Sequence, residues 1–258
     1  MTGPLWYACG EDTIPAGEDW LAALERERLA QIRFTKRRTE FLLRRAVGKR
    51  AVAAVLSLGD DPATCGRIGM LNHPSGAPYV VLDDQVLDLE VSLTDRAGHA
   101  VALIRPAGSH ARGPVGIDLE LVEERTAGFV EDFLTAGEAA WVRARGQVAV
   151  DANLLWSAKE AALKVLKVGL RADTRTVEVR VDDTVRADGW AALEVVQVGT
   201  GASFPGWWRR DGYFVLTVVT TQPDGPPQAL PGTGDLAAAE PVHSWLAAPV
   251  VRPAVPNT

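Results

Sequence analysis

Between residues 115 and 166 the chain changes period from that of a strand to that of a helix, and it places carboxylates on both. Val115, Ile117, Leu119 and Leu121 alternate with Gly116, Asp118 and Glu120, the two-residue repeat of a half-buried strand. Asp118 and Glu120 therefore share one face, and Ile117 and Leu119 the other. Two like charges side by side call for water or a cation between them. An all-oxygen set suits Mg²⁺, which takes one or two carboxylates plus substrate phosphates. Further on, Leu155, Ala162, Leu163 and Leu166 make an apolar stripe at helical spacing. Trp156, Glu160, Lys164 and Lys167 lie on the adjoining polar side, and Glu160 shares a face with Lys164 four residues later. An isolated Asp-x-Glu or Glu-x-x-x-Lys is usually a solvated surface feature. Together, three carboxylates and lysines on a strand and a helix describe a polyphosphate site, one where a phosphoryl bond is broken.

The rest of the chain narrows the class. At 258 residues it is one large domain or two small ones. With 47% hydrophobic and 23% charged residues it reads as a soluble globular protein. No apolar run approaches the roughly 18 residues of a membrane span. Residues 1–10 lack the basic and apolar regions of a secretory signal. The two cysteines, Cys9 and Cys65, stand in unrelated contexts and suggest neither a metal site nor a disulfide. These features predict a cytoplasmic location. A formal net charge of −6 argues against a dedicated nucleic-acid binder.

In order, residues 1–17 read as an extended entry segment. A helix is expected from Glu18, with Trp20, Leu21, Leu24 and Leu29 on its apolar side. Thr35 reads as the N-cap of a second, long helix ending near Gly59. Its polar side carries Arg33, Lys36, Arg37, Arg38, Arg44, Arg45, Lys49 and Arg50, with Glu40 as the one opposing charge. Such a cluster is a solvated face, a nucleic-acid surface or a site for a phosphorylated ligand or acidic partner. Short strands are expected at 68–71, 79–82, 89–93 and 100–104, with turn chemistry at 73–78 and a hairpin at 95–98. His73, His99 and His110 read as ordinary loop or surface histidines. Residues 105–114 read as a linker. Thr135-Ala136-Gly137-Glu138 is a capping box, Asp151 or Asn153 can cap the helix bearing Glu160, and Gly169 can end it. Strands follow at 176–181, 191–198 and 213–220, with a turn at Asp211-Gly212. Each half thus runs helix, then about three antiparallel strands, which predicts an α+β fold. From Gln222 onward eight prolines among Gly and Ala predict a mobile tail, with local packing of Trp245 and Leu246.

Gly116-Ile117-Asp118-Leu119-Glu120, followed by Trp156-Ser157-Ala158-Lys159-Glu160-Ala161-Ala162-Leu163-Lys164, resembles the signature of the surfactin-synthetase-activating type of 4′-phosphopantetheinyl transferase. Phe133 to Glu138 is similar to that family's intervening segment, and the resemblance spans roughly residues 20–220. It implies a pseudo-dimer of two similar α+β halves (18–112 and 113–221), each a helix packed on a small antiparallel sheet, with the active site in the cleft between them. It implies Mg²⁺, or Mn²⁺, on Asp118, Glu120 and Glu160. Coenzyme A is the implied substrate, contacted by Arg38, Arg45, Gly76, Pro78, Thr94, Lys159 and Lys164. Glu160 is implied as base and Lys164 as stabiliser of the leaving phosphate. The implied partner is an acyl or peptidyl carrier protein, with the enzyme a monomer.

Two positions depart from the family pattern. The loop reads Gly76-Ala77-Pro78 without its usual lysine, and Thr94-Asp95 stands where Ser-His is usual. A carboxylate there would repel the nucleotide's phosphate, with Arg96 a candidate to compensate. A non-catalytic coenzyme A-binding protein, or another Mg²⁺-dependent phosphoryl-transfer enzyme, are the competing readings. The latter lacks its phosphate loop, because no Gly-x-x-x-x-Gly-Lys-Ser/Thr occurs.

Overall fold

The computed structural model describes residues 3–106, 113–168 and 172–242. In the first half come β1 (Leu5–Gly10), α1 (Ala23–Ala30), α2 (Thr35–Val55), α3 (Pro62–Arg67), β2 (Ile68–Asn72), β3 (Pro78–Leu82), β4 (Gln85–Val86), β5 (Glu90–Arg96) and β6 (His99–Arg105). In the second come β7 (Val115–Leu121), α4 (Ala127–Phe133), α5 (Ala136–Arg145), α6 (Val148–Val165), β8 (Val177–Val181), β9 (Ala191–Gln197), β10 (Ser203–Asp211), β11 (Phe214–Thr220) and a short β12 (Gln228–Ala229). The mixture is α+β, as the alternation of periods predicts.

One sheet runs β12-β1-β6-β5, a second β7-β11-β10-β9-β8, and a third β2-β3-β4. Every pairing is antiparallel except β1 with β12. Residues 100–104 of strand β6 form an unbroken apolar run because both faces are buried there. Ala100, Ala102 and Ile104 pack with Leu43, Val47 and Ala51 of α2. Val101 and Leu103 face the other way, onto Ile117 and Leu119 of β7 and Leu216 and Val218 of β11. That second core joins the two halves. Behind β9, α6 packs Ala158, Ala162 and Val165 against Val177, Val195 and Val219.

The edges β5 and β7 meet through side chains. The Ser92 hydroxyl accepts from the Ile117 N–H at 3.1 Å, and the Thr94 hydroxyl from the Leu119 N–H at 3.2 Å. These bonds satisfy edge groups of β7 that would otherwise be buried without partners.

Each half contains the same buried knot. Lys49 of α2, fully buried, pairs with Glu25 at 2.6 Å and donates to the carbonyls of Trp20 and Cys65. Glu25 in turn accepts from the N–H groups of Ala22 and Met70. Lys159 of α6, also fully buried, pairs with Glu138 at 2.7 Å and donates to the carbonyls of Thr174 and Val177. Glu138 accepts from the N–H groups of Thr135 and Val179.

Several local expectations need correction. The entry segment contains β1, whose partners lie far along the chain. The first helix begins at Ala23, because Trp20 and Leu21 are spent in a buried turn. Thr35 is the first residue of α2, and the cap position is Phe34, with no side-chain cap. Neither Asp151 nor Asn153 caps α6, which starts at Val148. Asp151 pairs with Arg145, and Asn153 donates to the Glu123 and Ala149 carbonyls. Residues 222–242 are not a loose tail. The N–H groups of Gln228, Leu230 and Gly234 donate to the carbonyls of Pro4, Trp6 and Ala8, and Leu230 and Leu236 are buried. Proline excludes a long strand but leaves these alternate donors available. The Thr135–Glu138 capping box forms as expected, and Gly212 takes the left-handed conformation of the Asp-Gly turn. His110, Gly169, Trp245, Leu246 and most of the 105–114 linker lie outside the described residues.

Candidate functional site

Strand β7 sends Val115, Ile117, Leu119 and Leu121 into the joint core, so Gly116, Asp118 and Glu120 turn toward α6. Gly116 lets the two elements approach closely. A Cβ there would run into the carbonyl oxygen of Ala161. That approach brings the carboxylates of β7 beside Glu160 and Lys164.

Asp118 Oδ1 accepts from Lys164 Nζ at 2.8 Å and from the Thr94 hydroxyl at 3.1 Å. Its Oδ2 is buried without a partner. Lys164 Nζ also donates to the Ile117 carbonyl at 2.6 Å. Thr94 thus orients Asp118 and does not line the neighbouring cleft. Glu120 accepts from Trp156 Nε1 at 3.1 Å and pairs with Arg96 at 3.1 Å and Arg125 at 3.3 Å. Glu160, 8% exposed, has no hydrogen bond or ion pair among the described residues.

Burial and the neighbouring Asp118 carboxylate push the Glu160 acid up to about 7, against the pull of Lys164. Glu120 is likewise pushed up to about 7, mainly by burial, with Arg96 opposing. Carboxyl groups raised this far beside an orphaned oxygen are where a cation would relieve the charge. The donor chemistry fits a hard divalent ion bound by Asp118 and Glu160 with phosphate oxygens completing the shell. Among the described residues no three His, Cys, Asp or Glu side chains gather closely enough to hold one ion by themselves.

Adjoining this junction is a cleft of about 1310 Å³, lined mostly by residues 24–93, with Pro114, Val115, Leu163, Lys164 and Lys167 at one end. Arg28, Arg33, Arg37, Arg44 and Arg45 line its first-half wall, with Gly76, Ala77 and Pro78 on the loop opposite, and Lys164 and Lys167 at the second-half end. Arg45 is nearly buried. It lies over the Phe41 ring and donates to Asn72 Oδ1 at 2.9 Å. Burial lowers its pKa to about 10, against the attraction of Glu25. Asp95 does not stand alone against an incoming phosphate, because Arg44 is bonded to it.

Besides Thr94, two expected contacts are not in the cleft. Arg38 is tied to Glu18 at 2.7 Å and to the Leu29 carbonyl at 3.2 Å. Arg37 and Arg44 have the same seven-residue spacing as Arg38 and Arg45 and do line the cleft; spacing alone does not choose between the pairs. Lys159 spends all three ammonium protons inside the second half, leaving none for a ligand. Its place on the apolar edge of the helix is the sequence signal for this. Arg96 and Arg125 are missed as partners of Glu120 because they come from the end of β5 and from the loop after β7.

Residues 114–191 match the sequence model of the 4′-phosphopantetheinyl transferase superfamily. The matched segment contains both motifs, the strand with Asp118 and Glu120 and the helix with Glu160 and Lys164. Members of that superfamily are transferases that use coenzyme A, typically with a divalent metal, and act on carrier proteins. No curated protein matches the chain. Among the described residues no helix is long and apolar enough to cross a membrane.

Proposed function

We propose that this chain moves the 4′-phosphopantetheine arm of coenzyme A onto a serine hydroxyl of an acyl or peptidyl carrier protein, releasing adenosine 3′,5′-bisphosphate. The observation that carries the reading is the β7–α6 junction. A buried carboxylate with an orphaned oxygen, an unpaired buried acid and a lysine stand there together, beside a cleft rich in arginine.

The chemistry follows from the charges. The pyrophosphate of coenzyme A needs offsetting, and the arginines of the first-half wall supply this along the cleft. Mg²⁺, or Mn²⁺ in its place, bound through Asp118 and Glu160, would neutralise the bridging phosphates. The serine oxygen forms a bond to the phosphorus that bears the pantetheine arm, and that phosphorus loses its bond to the bridging oxygen. The bisphosphate leaves with the electron pair, and Lys164 stabilises its growing charge. Glu160 accepts the hydroxyl proton, directly or through one water. Lys164 joins the two parts of the site, since it touches Asp118 and also lines the cleft.

We also read the halves as copies of one α+β unit dividing near residue 112. The matched Lys49–Glu25 and Lys159–Glu138 knots, each closing a helix onto a strand N–H, support that reading. The test is intact-mass analysis of apo carrier domains incubated with coenzyme A, Mg²⁺ and the enzyme. Addition of one phosphopantetheine arm is the expected result. Coenzyme A binding with no adduct on any carrier would favour a non-catalytic binding protein.

A further inference from the structure

We infer that residues 224–242 form a clasp that fixes the angle between the two halves from the side opposite their seam. The seam is the β5–β7 edge, and the two sheets run away from it, β5-β6-β1 in one half and β7-β11-β10 in the other. It is held by two side-chain hydroxyls, those of Ser92 and Thr94, instead of a backbone ladder. On the far rim Trp6 of β1 meets Trp190 edge-on with ring centroids 6.3 Å apart, and Arg209 of β10 lies over both rings. The clasp closes this rim.

At its start, Asp224 touches both halves at once. Its carboxylate pairs with Arg105 of β6, and its carbonyl accepts from Trp207 Nε1 of β10 at 3.2 Å. Both side chains of the ion pair are almost fully buried, so the pair is costly to break. The segment then runs beside β1 and adds Leu236 to the joint core. Next it rests on the β10–β11 turn, where a Cβ on Gly212 would come 2.7 Å from the Ala237 carbonyl oxygen. Its end grips the β5–β6 turn of the other half. The Glu240 carbonyl accepts from His99 Nε2 at 2.9 Å, and the Val242 N–H donates to the Ala97 carbonyl at 3.0 Å. Ala97 holds φ at +49°, a left-handed conformation that an alanine keeps only under outside constraint. The five residues that separate Ala237 from Val242 extend to about 18 Å at most, so the two turns cannot part beyond that reach while both contacts hold. None of residues 222–242 lines the cleft, so the constraint acts on the halves and not on a ligand.

The test is hydrogen–deuterium exchange of the full chain, followed by NMR with no ligand present, which makes it independent of the proposed activity. The reporters are the N–H groups of Ile117 and Leu119, which bond across the seam to Ser92 and Thr94 and not to the clasp. Leu236→Ala empties a buried position of the clasp. Exchange at residues 228–242 and at Ile117 and Leu119 is expected to rise by about tenfold or more, with the α6 amides at 158–163 exchanging as in the wild type. If Leu236→Ala does not fold, Val242→Pro takes its place. It removes the N–H that bonds Ala97, at an exposed position, and the same pattern is expected. Faster exchange confined to residues 228–242 overturns the inference, because the seam would then hold without the clasp. An equal rise through α6 also overturns it, because the segment would then be one more part of a single cooperative core.

Discussion

Replacing Lys159 by Met separates the architecture of the motif from its chemistry. Lys159 is fully buried, and its ammonium is shared among Glu138 and the carbonyls of Thr174 and Val177. Burial lowers its pKa, and Glu138 opposes that. Methionine keeps the stem but leaves the buried Glu138 carboxylate facing two bare carbonyls. Removing one partner of a buried pair costs about 3–5 kcal/mol. Glu138 retains the N–H groups of Thr135 and Val179, which favours the lower end. For a chain of this size each kcal/mol shifts Tm by roughly 2–4 °C, so a fall of about 6–12 °C is expected. Coenzyme A affinity of the folded variant, measured by calorimetry well below that Tm, is expected to be unchanged. Lys49→Met should behave alike, since Lys49 makes the matching knot in the first half. An unaltered Tm with weakened coenzyme A binding in Lys159→Met would refute the assignment and return this lysine to the ligand.

Lys164→Met is the counterpart: transfer and coenzyme A affinity should fall together, with Tm moving by less than in Lys159→Met, and unchanged affinity would remove the lysine from the site. Asp95→Asn frees Arg44 in the cleft wall and removes an anion, so coenzyme A should bind about threefold to tenfold more tightly; weaker binding in a calorimetric titration would show that Asp95 holds Arg44 in its working position. Gly116→Ala places a methyl group against the Ala161 carbonyl and should cost about 1–3 kcal/mol while lowering transfer; normal stability and transfer would mean that the close approach of β7 and α6 is not needed. In the metal-free protein Glu160 holds its proton up to about 7 when folded, against 4.5 as the ordinary value. The folded state therefore binds the extra proton between those limits, and stability is greatest below about 4.5 and falls as pH rises through about 7. Urea unfolding in chelator should show Glu160→Gln gaining on the wild type by up to about 3 kcal/mol across that window, and parallel curves would contradict the burial of this acid.

The elements with a clean period were legible in the sequence. The β7 alternation, the α6 stripe, the Thr135 capping box and the Asp211-Gly212 turn all encode themselves over a few residues, and the structure has them. The orientation of Asp118 toward α6 follows from the same alternation. What was not legible depends on partners distant in sequence. β1 and β12 make a strand pair across more than two hundred residues, so neither end of the chain advertises it. Arg38 and Arg37 have identical helical spacings to their neighbours one heptad on, and only the docking of Glu18 and Leu29 decides which of them is withdrawn from the cleft. Lys159 belongs to a motif that also contains the site, yet it faces inward to Glu138. Glu120 reads as a ligand from the alternation alone, and its neighbours Arg96, Arg125 and Trp156, drawn from the end of β5, a loop and a helix, are not visible in that reading. Local periodicity specifies which face a side chain takes, and charge satisfaction by remote groups then determines whether it is free to act.

The most direct measurement of the central claim is intact-mass spectrometry of a panel of apo carrier domains incubated with coenzyme A, Mg²⁺ and either the wild-type chain or folded Asp118→Asn and Glu160→Gln. The account predicts one added phosphopantetheine arm, located on a serine, with the wild type, and almost none with the two variants. A wild type that modifies no carrier, or variants that modify carriers as fast as the wild type, would contradict it.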